Sequence, residues 1–211
     1  MIRPIIGLIF ILFMKDILKK IQEEAIRNDI PIMKDDGITF IIEYIKQHEE
    51  IRDILEVGTA VGYSAIQFAS IRWDMNVDTI EIDPSLAEVA DNNFAKCGVD
   101  NRVKCYNMDA MEYESDKVYD LIFIDAAKSQ YKKYLEHFYH NSRKGTVFIF
   151  DNLAFHGMVD NPEKTTNRST LQMTRKIKKF RDQLENDTRF DTEFYLDIGD
   201  GIAISIRRSD N

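Results

Sequence analysis

Two acidic residues stand where apolar runs end, and together with an amide they could bind a cation. Asp125 ends the run Leu121–Asp125, and Asp151 ends the run Thr146–Asp151 and is followed by Asn152. Two carboxylates and an amide oxygen form a hard, oxygen-only ligand set that suits Mg²⁺, Mn²⁺ or Ca²⁺. The alternative interpretation is that both acids only cap helices or form turns. The residue types therefore predict a candidate divalent-metal site.

A glycine-containing turn, Glu56–Ser64, leads from an earlier apolar run into a predicted helix. Gly58 lets the backbone approach a ligand, and the helix start offers free N–H groups. A pyrophosphate-binding fingerprint would have glycines at its first, third and sixth positions, but Ala60 and Tyr63 occupy two of them. The turn disfavours bound NAD and favours another nucleoside, the alternative being a tight turn without a ligand.

Two further positions could complete a nucleoside site. Glu81, near the end of the run Val77–Ile82, can accept hydrogen bonds from both hydroxyls of a ribose. Asp109 and Ala110 follow the run Val103–Tyr106 and could flank the edge of an adenine. Taken alone, however, Asp109 is better explained as a helix N-cap.

Short runs rich in branched residues alternate with helical stretches, which predicts a parallel sheet with helices on both faces. The predicted strands are Asp53–Val57, Val77–Ile82, Val103–Tyr106, Leu121–Asp125 and Thr146–Asp151, and the helices between them are Tyr63–Ile71, Pro84–Lys96 and Gln130–Tyr139. A helix over Ser169–Leu184 precedes two strands, Thr192–Leu196 and Ile202–Ile206, which form a hairpin. The predicted sheet therefore has seven strands, mostly parallel, with an antiparallel last strand.

The N-terminal part of the chain is predicted to be helical. Asp36 can cap a helix that ends at Gln47. The apolar segment Ile5–Met14 resembles the core of a signal peptide, but no small-residue cleavage site follows and it is too short to span a bilayer. We expect a packing or dimer helix and no stable membrane association.

Size and composition limit the class of protein. With 211 residues and 44% hydrophobic content, we expect one domain, 1–211. The alternation of strands and helices divides it into N-terminal helices (1–47) and a Rossmann-like core (48–211). Cys97 and Cys105 have no metal-ligand or redox spacing, which fits a reducing cytoplasm. A net charge of −8 means that any polyanionic partner must dock on a local basic patch.

From about Pro31 to Arg207 the sequence resembles the metal-dependent class I O-methyltransferases of the catechol and caffeoyl-CoA type. The resemblance is carried by the segments Leu55–Ala65, Phe123–Lys128, Asp151-Asn152 and Asp200-Gly201. Within that family it is similar to bacterial tRNA 5-hydroxyuridine methyltransferases, on Ile30–Met33 and Asp151–Gly157. It implies a divalent metal at Asp125, Asp151 and Asn152, and contacts to S-adenosylmethionine from Met33, Glu56, Gly58, Ser64, Glu81, Asp109, Ala110 and Asp125.

The chemistry of the family gives Lys128 a catalytic role beside Asp125. Methyl transfer from a sulfonium is an in-line displacement, so the acceptor oxygen must be deprotonated and aligned. A bound cation favours that deprotonation. Lys128 can then accept the proton as general base, provided that the metal and burial disfavour its charged form. Otherwise Lys128 is a solvated lysine at a helix start.

Departures from the family pattern bear on the acceptor. Ala126 and Ala127 stand where the catechol enzyme has a His-Trp pair, and no loop comparable to the CoA-recognising insertion is present. Of the four histidines, only His156 lies close to the metal pair in sequence. We therefore expect an open pocket without a gate for a small ring.

A basic segment, Lys164–Arg181, is the candidate RNA surface. It contains no acidic residue, and its basic members are Lys164, Arg168, Arg175, Lys176, Lys178, Lys179 and Arg181. An inner face that includes Leu171, Ile177 and Phe180 would turn these cations outward, where phosphates dock. The alternative is a solvated lysine-rich helix.

Three functions follow. The leading expectation is a cytoplasmic homodimer that methylates 5-hydroxyuridine at the tRNA wobble position to 5-methoxyuridine, with S-adenosylmethionine and Mg²⁺. A catechol-like small-molecule O-methyltransferase would use the same cofactors. A non-catalytic S-adenosylmethionine-binding protein is disfavoured because Asp125, Asp151 and Asn152 are all present.

Overall fold

The computed structural model describes the backbone of residues 2–209 and the side chains of residues 14–209. Seven strands form one sheet: β1 (Asp53–Val57), β2 (Asn76–Glu81), β3 (Val103–Asn107), β4 (Leu121–Ile124), β5 (Val147–Phe150), β6 (Phe190–Tyr195) and β7 (Ile202–Arg207). Their order is β3-β2-β1-β4-β5-β7-β6. β7 runs antiparallel to both neighbours, β5 and β6, and the other pairs are parallel. The predicted seven-stranded mixed sheet is confirmed.

In the part of the chain that the structure describes, six α-helices surround this sheet. They are α1 (Ile2–Arg27), α2 (Asp35–Gln47), α3 (Tyr63–Ala69), α4 (Pro84–Cys97), α5 (Tyr131–Phe138) and α6 (Arg168–Asn186). Short 3₁₀ turns lie at Ala110–Glu112, Lys128–Gln130, Tyr139–Asn141 and Pro162–Lys164. Every predicted helix and strand is present, and apart from the N-terminal helix their ends differ from the predicted ones by at most two residues.

Each face of the sheet has its own apolar core. β1 and β4 alternate their side chains between the two, so that Ile54 and Phe123 face the core containing α1–α4, whereas Leu55 and Ile124 face the core containing α5 and α6. These side chains are almost fully buried. The runs are continuously apolar because both faces of the parallel strands are covered.

The predicted N-cap of α2 is wrong. The cap position is Lys34, without a side-chain cap bond, and the helix begins at Asp35. The Asp36 carboxylate instead accepts the backbone N–H of Gly199, at 2.9 Å, which lowers the pKa of Asp36. A contact between distant segments has replaced the local cap.

Helix α1 contains the apolar segment Ile5–Met14. The side chains before Met14 lie outside those that the structure describes. The expected packing or dimer role of this segment therefore stays a prediction. Met14 is buried, and its Sδ accepts a hydrogen bond from Ser70. No helix in the described part of the chain is both long enough and apolar enough to cross a bilayer.

Candidate active site

A cavity of about 580 Å³ opens at the carboxyl ends of β1, β2, β4 and β5. Parallel sheets place their ligands at this edge, where the loops that follow neighbouring strands diverge. The predicted site residues that line the cavity are Gly58, Ser64, Glu81, Asp109, Ala110, Asp125, Lys128, Asp151 and Asn152. One cavity thus brings together both predicted sites, the nucleoside site and the metal site.

The glycine turn forms the floor of the cavity. Gly58 has φ +103°, and a Cβ at this position would lie 2.1 Å from the carbonyl oxygen of Asp125. No side chain fits there, so glycine is required for the turn after β1 to pack against the end of β4. This close approach places the nucleoside turn directly beside the predicted metal ligand Asp125.

Glu81 holds the same turn from the other side. Its two carboxylate oxygens accept the backbone N–H groups of Ala60, at 2.8 Å, and Asp83, at 2.9 Å. Ala60 has φ +46°, a strained value for a residue with a side chain. Glu81 therefore stabilises the turn, and since it lines the cavity its remaining lone pairs can also accept ligand hydroxyls.

Glu56 does not line the cavity but lies behind it, fully buried. Its carboxylate accepts hydrogen bonds from the hydroxyls of Ser64 and Thr79, each at 2.5 Å. Burial raises the pKa of Glu56 to about 8, although these two hydrogen bonds act in the opposite direction. The sequence does not indicate Thr79, whose role depends on a register between β1 and β2 that places it beside Glu56.

Two other predicted cofactor contacts differ in placement. Met33 is buried against Gly37 and is not one of the cavity-lining residues, although its neighbours Ile32 and Lys34 are. Asp109 lines the cavity and also caps the following 3₁₀ turn by accepting the N–H of Met111. The two interpretations of Asp109, a cap and a site residue, are thus compatible.

At the other end of the cavity the acids cluster. Asp151 is 1% exposed, and burial together with the charge of Asp125 raises the pKa of Asp151 to about 7. Burial also raises the pKa of Asp125, while the charge of Lys128 acts in the opposite direction. The charge of a third carboxyl group, that of Asp200, also raises the pKa of both. Carboxylates packed this closely repel one another unless a cation or a proton separates them.

One atom of this cluster has no partner among the described residues. Oδ1 of Asp151 is buried and makes no hydrogen bond to them, whereas Oδ2 accepts the side-chain amide N–H of Asn152 at 3.0 Å. Asn152 has φ +60° and lines the cavity. Within the described residues, no group of three or more His, Cys, Asp and Glu side chains is arranged to hold a metal ion. The predicted metal ligands include only two residues of these types, Asp125 and Asp151, because the third, Asn152, is an amide.

Sequence reasoning missed Asp200 as a functional candidate, although the Asp200-Gly201 pair contributes to the family resemblance. Asp200 is 7% exposed and lines the cavity. Its Oδ1 accepts the backbone N–H of His156 at 2.6 Å and lies 3.7 Å from Nζ of Lys34. His156 and its neighbour Phe155 also line the cavity. His156 thus lines the same cavity as the predicted metal ligands Asp151 and Asn152, as its sequence position suggested.

The predicted basic surface begins at the same edge of the sheet. Helix α6 connects β5 to β6, which run in the same direction, so its N-terminus lies at the edge where the cavity opens. It also packs against the 3₁₀ turn that contains Lys128. Of the predicted inner face, Ile177 and Phe180 are buried and Leu171 is half-buried. The exposed basic residues are Lys164, Arg168, Arg175, Lys176, Lys178 and Lys179.

Arg181 corrects that prediction. Its side chain is 17% exposed and donates two hydrogen bonds to Asp160, at 3.0 and 2.9 Å. Arg181 therefore fixes the segment before α6 and does not face solvent with the other cations. Lys178 is exposed but lies 4.0 Å from Asp182 of the same helix.

Comparison with known proteins identifies the family of this chain. The model of the O-methyltransferase family matches residues 12–208, and the chain belongs to this family. A catechol O-methyltransferase from Niastella koreensis is 29% identical over 176 residues, which is 78% of this chain and 77% of that protein.

Two solved structures show the same fold. One, from Staphylococcus aureus and provisionally assigned as a caffeoyl-CoA O-methyltransferase, superposes with a TM-score of 0.85 at 36% identity, over 90% of this chain and 91% of that one. The other is an O-methyltransferase from Bacillus cereus in complex with SAH, with a TM-score of 0.77 at 24% identity over 92% and 91% of the two chains.

Proposed function

We propose that this protein transfers the methyl group of S-adenosylmethionine to an acceptor hydroxyl with the help of a divalent cation. The observation that carries the proposal is the buried, unpartnered Oδ1 of Asp151 beside Asp125 in a cavity that also contains the glycine turn. When bound, S-adenosylmethionine supplies an activated methyl group. The turn after β1 and Glu81 would bind its nucleoside part, as the sequence resemblance implies and as a related structure in complex with SAH suggests.

The residues present fit a hard cation. Asp125, Asp151 and Asn152 would hold it through oxygen atoms, and a positive charge would separate carboxylates that otherwise repel one another. A divalent cation supplies a charge that favours deprotonation of an acceptor hydroxyl. Leaving a carboxylate oxygen buried without a partner is costly, so a ligand for Oδ1 of Asp151 is expected.

Lys128 is the general base of the proposed reaction. It lines the cavity beside Asp125, and its Nζ would accept the proton from the acceptor hydroxyl as the oxygen bonds to the methyl carbon. The carbon–sulfur bond breaks at the same time, so the products are the methyl ether and S-adenosylhomocysteine. Ala126 and Ala127 also line the cavity and leave its mouth without a bulky gate.

For the acceptor we propose 5-hydroxyuridine at the tRNA wobble position. Support comes from the open mouth and from the exposed cations at the N-terminal half of α6, which begin at the edge where the cavity opens. Lys164 lies beside Gly157, in the loop that contains Phe155 and His156. A phosphate backbone lying on α6 would thereby reach the mouth of the cavity.

The test is a charge reversal on α6, with Arg175, Lys176 and Lys179 changed to Glu. These residues are exposed. Arg181 is excluded because its change would also break the ion pair with Asp160. We expect weaker tRNA binding and a log–log salt slope that falls by about 0.7–0.9 for each phosphate that the variant no longer binds. Reversal of Lys15, Lys20 and Arg27 on α1 is the matched control and should leave the slope unchanged.

A small phenol with adjacent hydroxyls is the second candidate acceptor, favoured by the catechol O-methyltransferase relative. Mass spectrometry of nucleosides from cells lacking the protein separates the two candidates. Loss of 5-methoxyuridine with accumulation of 5-hydroxyuridine supports the tRNA acceptor. Unchanged tRNA, together with turnover of catechol by the purified protein, supports the phenol instead.

A further inference from the structure

The loop that follows the proposed metal pair is held by the turn between β6 and β7. The backbone N–H of Leu153 donates to the carbonyl of Gly201 at 2.8 Å, and that of Ala154 donates to the carbonyl of Asp200 at 2.7 Å. The N–H of His156 donates to Oδ1 of Asp200 at 2.6 Å. Asp200 thus makes two of these three bonds, one through its backbone and one through its side chain.

The held loop has an unfavourable backbone. Asn152, Phe155 and His156 have φ values of +60°, +46° and +57°. Non-glycine residues in this region are strained and persist only where their surroundings enforce the conformation. Gly201 permits the close approach, because a Cβ there would lie 2.4 Å from the backbone nitrogen of Ala154. The turn containing Asp200 is therefore what keeps the loop in this conformation.

The same turn also holds the segment before α2, part of which lines the cavity. Nζ of Lys34 donates to the carbonyl of Gly199 at 3.0 Å and lies 3.7 Å from Oδ1 of Asp200. The N–H of Gly199 donates to Asp36 at 2.9 Å. Since Pro31, Ile32 and Lys34 line the cavity, the turn contacts two of the segments that form it.

We propose that Asp200 is a positioning residue for the reaction. Its carboxylate holds the loop after Asp151 and Asn152 in the geometry that presents their oxygens to a cation, and through Lys34 it holds a second segment that lines the cavity. The inference rests on the cation and the cofactor of the proposed function. It adds to them a residue that acts through others and binds neither group itself.

Two variants separate positioning from charge. Asp200→Asn keeps a carbonyl oxygen that can accept the N–H of His156, but it removes the charge that faces Lys34. Asp200→Ala removes both. If Asp200 acts only through its charge, the two variants will behave alike. If it positions the loop, Asp200→Asn will be rescued relative to Asp200→Ala.

Two measurements on the full chain test this. Mn²⁺ affinity, measured from the electron paramagnetic resonance of free Mn²⁺, should fall about 10–100-fold in Asp200→Ala, as for other residues that orient metal ligands. In Asp200→Asn the fall should be only about two- to fivefold, the size expected when a partly exposed ion pair is removed. Hydrogen exchange of the amides of Leu153, Ala154 and His156, measured without metal, should speed up in Asp200→Ala and stay slow in Asp200→Asn.

Asp191→Asn, in the same hairpin, is the matched control, because it removes an exposed carboxylate paired with Arg208. It should resemble the wild type in both measurements. Equal reductions of Mn²⁺ affinity in the two Asp200 variants, or unchanged exchange in Asp200→Ala, would overturn the proposal. Wild-type protein that bound no Mn²⁺ would instead remove the cation from the proposed function, and the exchange measurement would still decide whether Asp200 holds the loop.

Discussion

Buried carboxyl groups lie in or behind the wall at both ends of the cavity. Only at the β1–β2 end does the described part of the chain supply a hydrogen-bond partner for every one of their oxygens. At the β1–β2 end, the oxygens of Glu56 accept two hydroxyls and those of Glu81 accept two backbone N–H groups. At the β4–β5 end, Oδ1 of Asp151 is buried without a hydrogen bond. A satisfied carboxylate stabilises the fold, whereas an unsatisfied one indicates a place for a ligand.

This difference also separates the two kinds of effect that substitutions should have. Changes at the β4–β5 end should reduce the reaction with little effect on the nucleoside site. Changes at the β1–β2 end should reduce cofactor affinity or alter stability. Substitutions at four positions test this division.

The largest effect is expected for Asp151→Ala, which should abolish methyl transfer because it removes the buried oxygen assigned to the cation. Calorimetry should find S-adenosylhomocysteine bound about as tightly as by the wild type. EDTA should reproduce the loss of activity in the wild type, and added Mg²⁺ or Mn²⁺ should reverse it. Ala at the exposed Asp100 serves as control. Full activity in EDTA would contradict the metal assignment.

Lys128→Met should lower kcat by about 10²–10⁴-fold, the usual contribution of a general base. Binding of cofactor and cation should change little, since no ligand is removed. Single-turnover rates of the variant and the wild type measure the effect. Lys128→Arg keeps the charge but is too basic to accept a proton, so restored activity in that variant would argue against the general-base role.

Glu81→Ala should raise the dissociation constant of S-adenosylhomocysteine at least about tenfold, because each hydrogen bond to a charged group contributes about 1.5–3 kcal/mol. The substitution also releases the N–H of Ala60 from its acceptor, so part of the effect comes from the turn. Glu81→Gln should have an intermediate affinity, since one oxygen remains. Unchanged affinity in a calorimetric titration of Glu81→Ala would place the ribose elsewhere.

The smallest effect concerns stability at the β1–β2 end. In the folded protein burial raises the pKa of Glu56 from 4.5 to about 8, so the folded state keeps this proton at pH values where the unfolded state releases it. Stability from this group is therefore present at low pH and is lost as pH rises towards about 8. Relative to Glu56→Gln, the wild-type free energy of unfolding should fall by up to about 1.4 kcal/mol per pH unit in this range. Urea denaturation at pH 5 to 9 measures it, and parallel pH curves would contradict it.

The strand ends and the residues that follow them could be predicted from the sequence. The period of apolar residues located every strand, and in a parallel sheet the side chains at the carboxyl ends of neighbouring strands must meet. These two rules predict Gly58, Glu81, Asp125 and Asp151 as neighbours without knowledge of any contact between them. Residue type added Asn152 to the ligand set, and the resemblance to a family added the catalytic role of Lys128.

Contacts between segments distant in sequence could not be predicted in this way. Asp36 had the type and position of a helix cap, yet its carboxylate accepts the N–H of Gly199 in the β6–β7 turn. Arg181 belonged to a segment, Lys164–Arg181, that contains no acidic residue, yet Asp160 pairs with it. Both outcomes depend on where the backbone brings a distant donor or acceptor, and no local pattern encodes that position.

The sequence by itself determined the order of strands and helices and the chemical types at the cavity edge, because hydrophobic period and residue type are local properties. Only the tertiary structure decided which carboxylate oxygens are already satisfied. Glu56 lies in β1 and Asp151 follows β5. The oxygens of Glu56 have partners from β2 and α3, whereas Oδ1 of Asp151 has none in the described part of the chain. That difference arises because burial removes water, so each buried oxygen depends on the few groups that the fold brings within hydrogen-bonding distance.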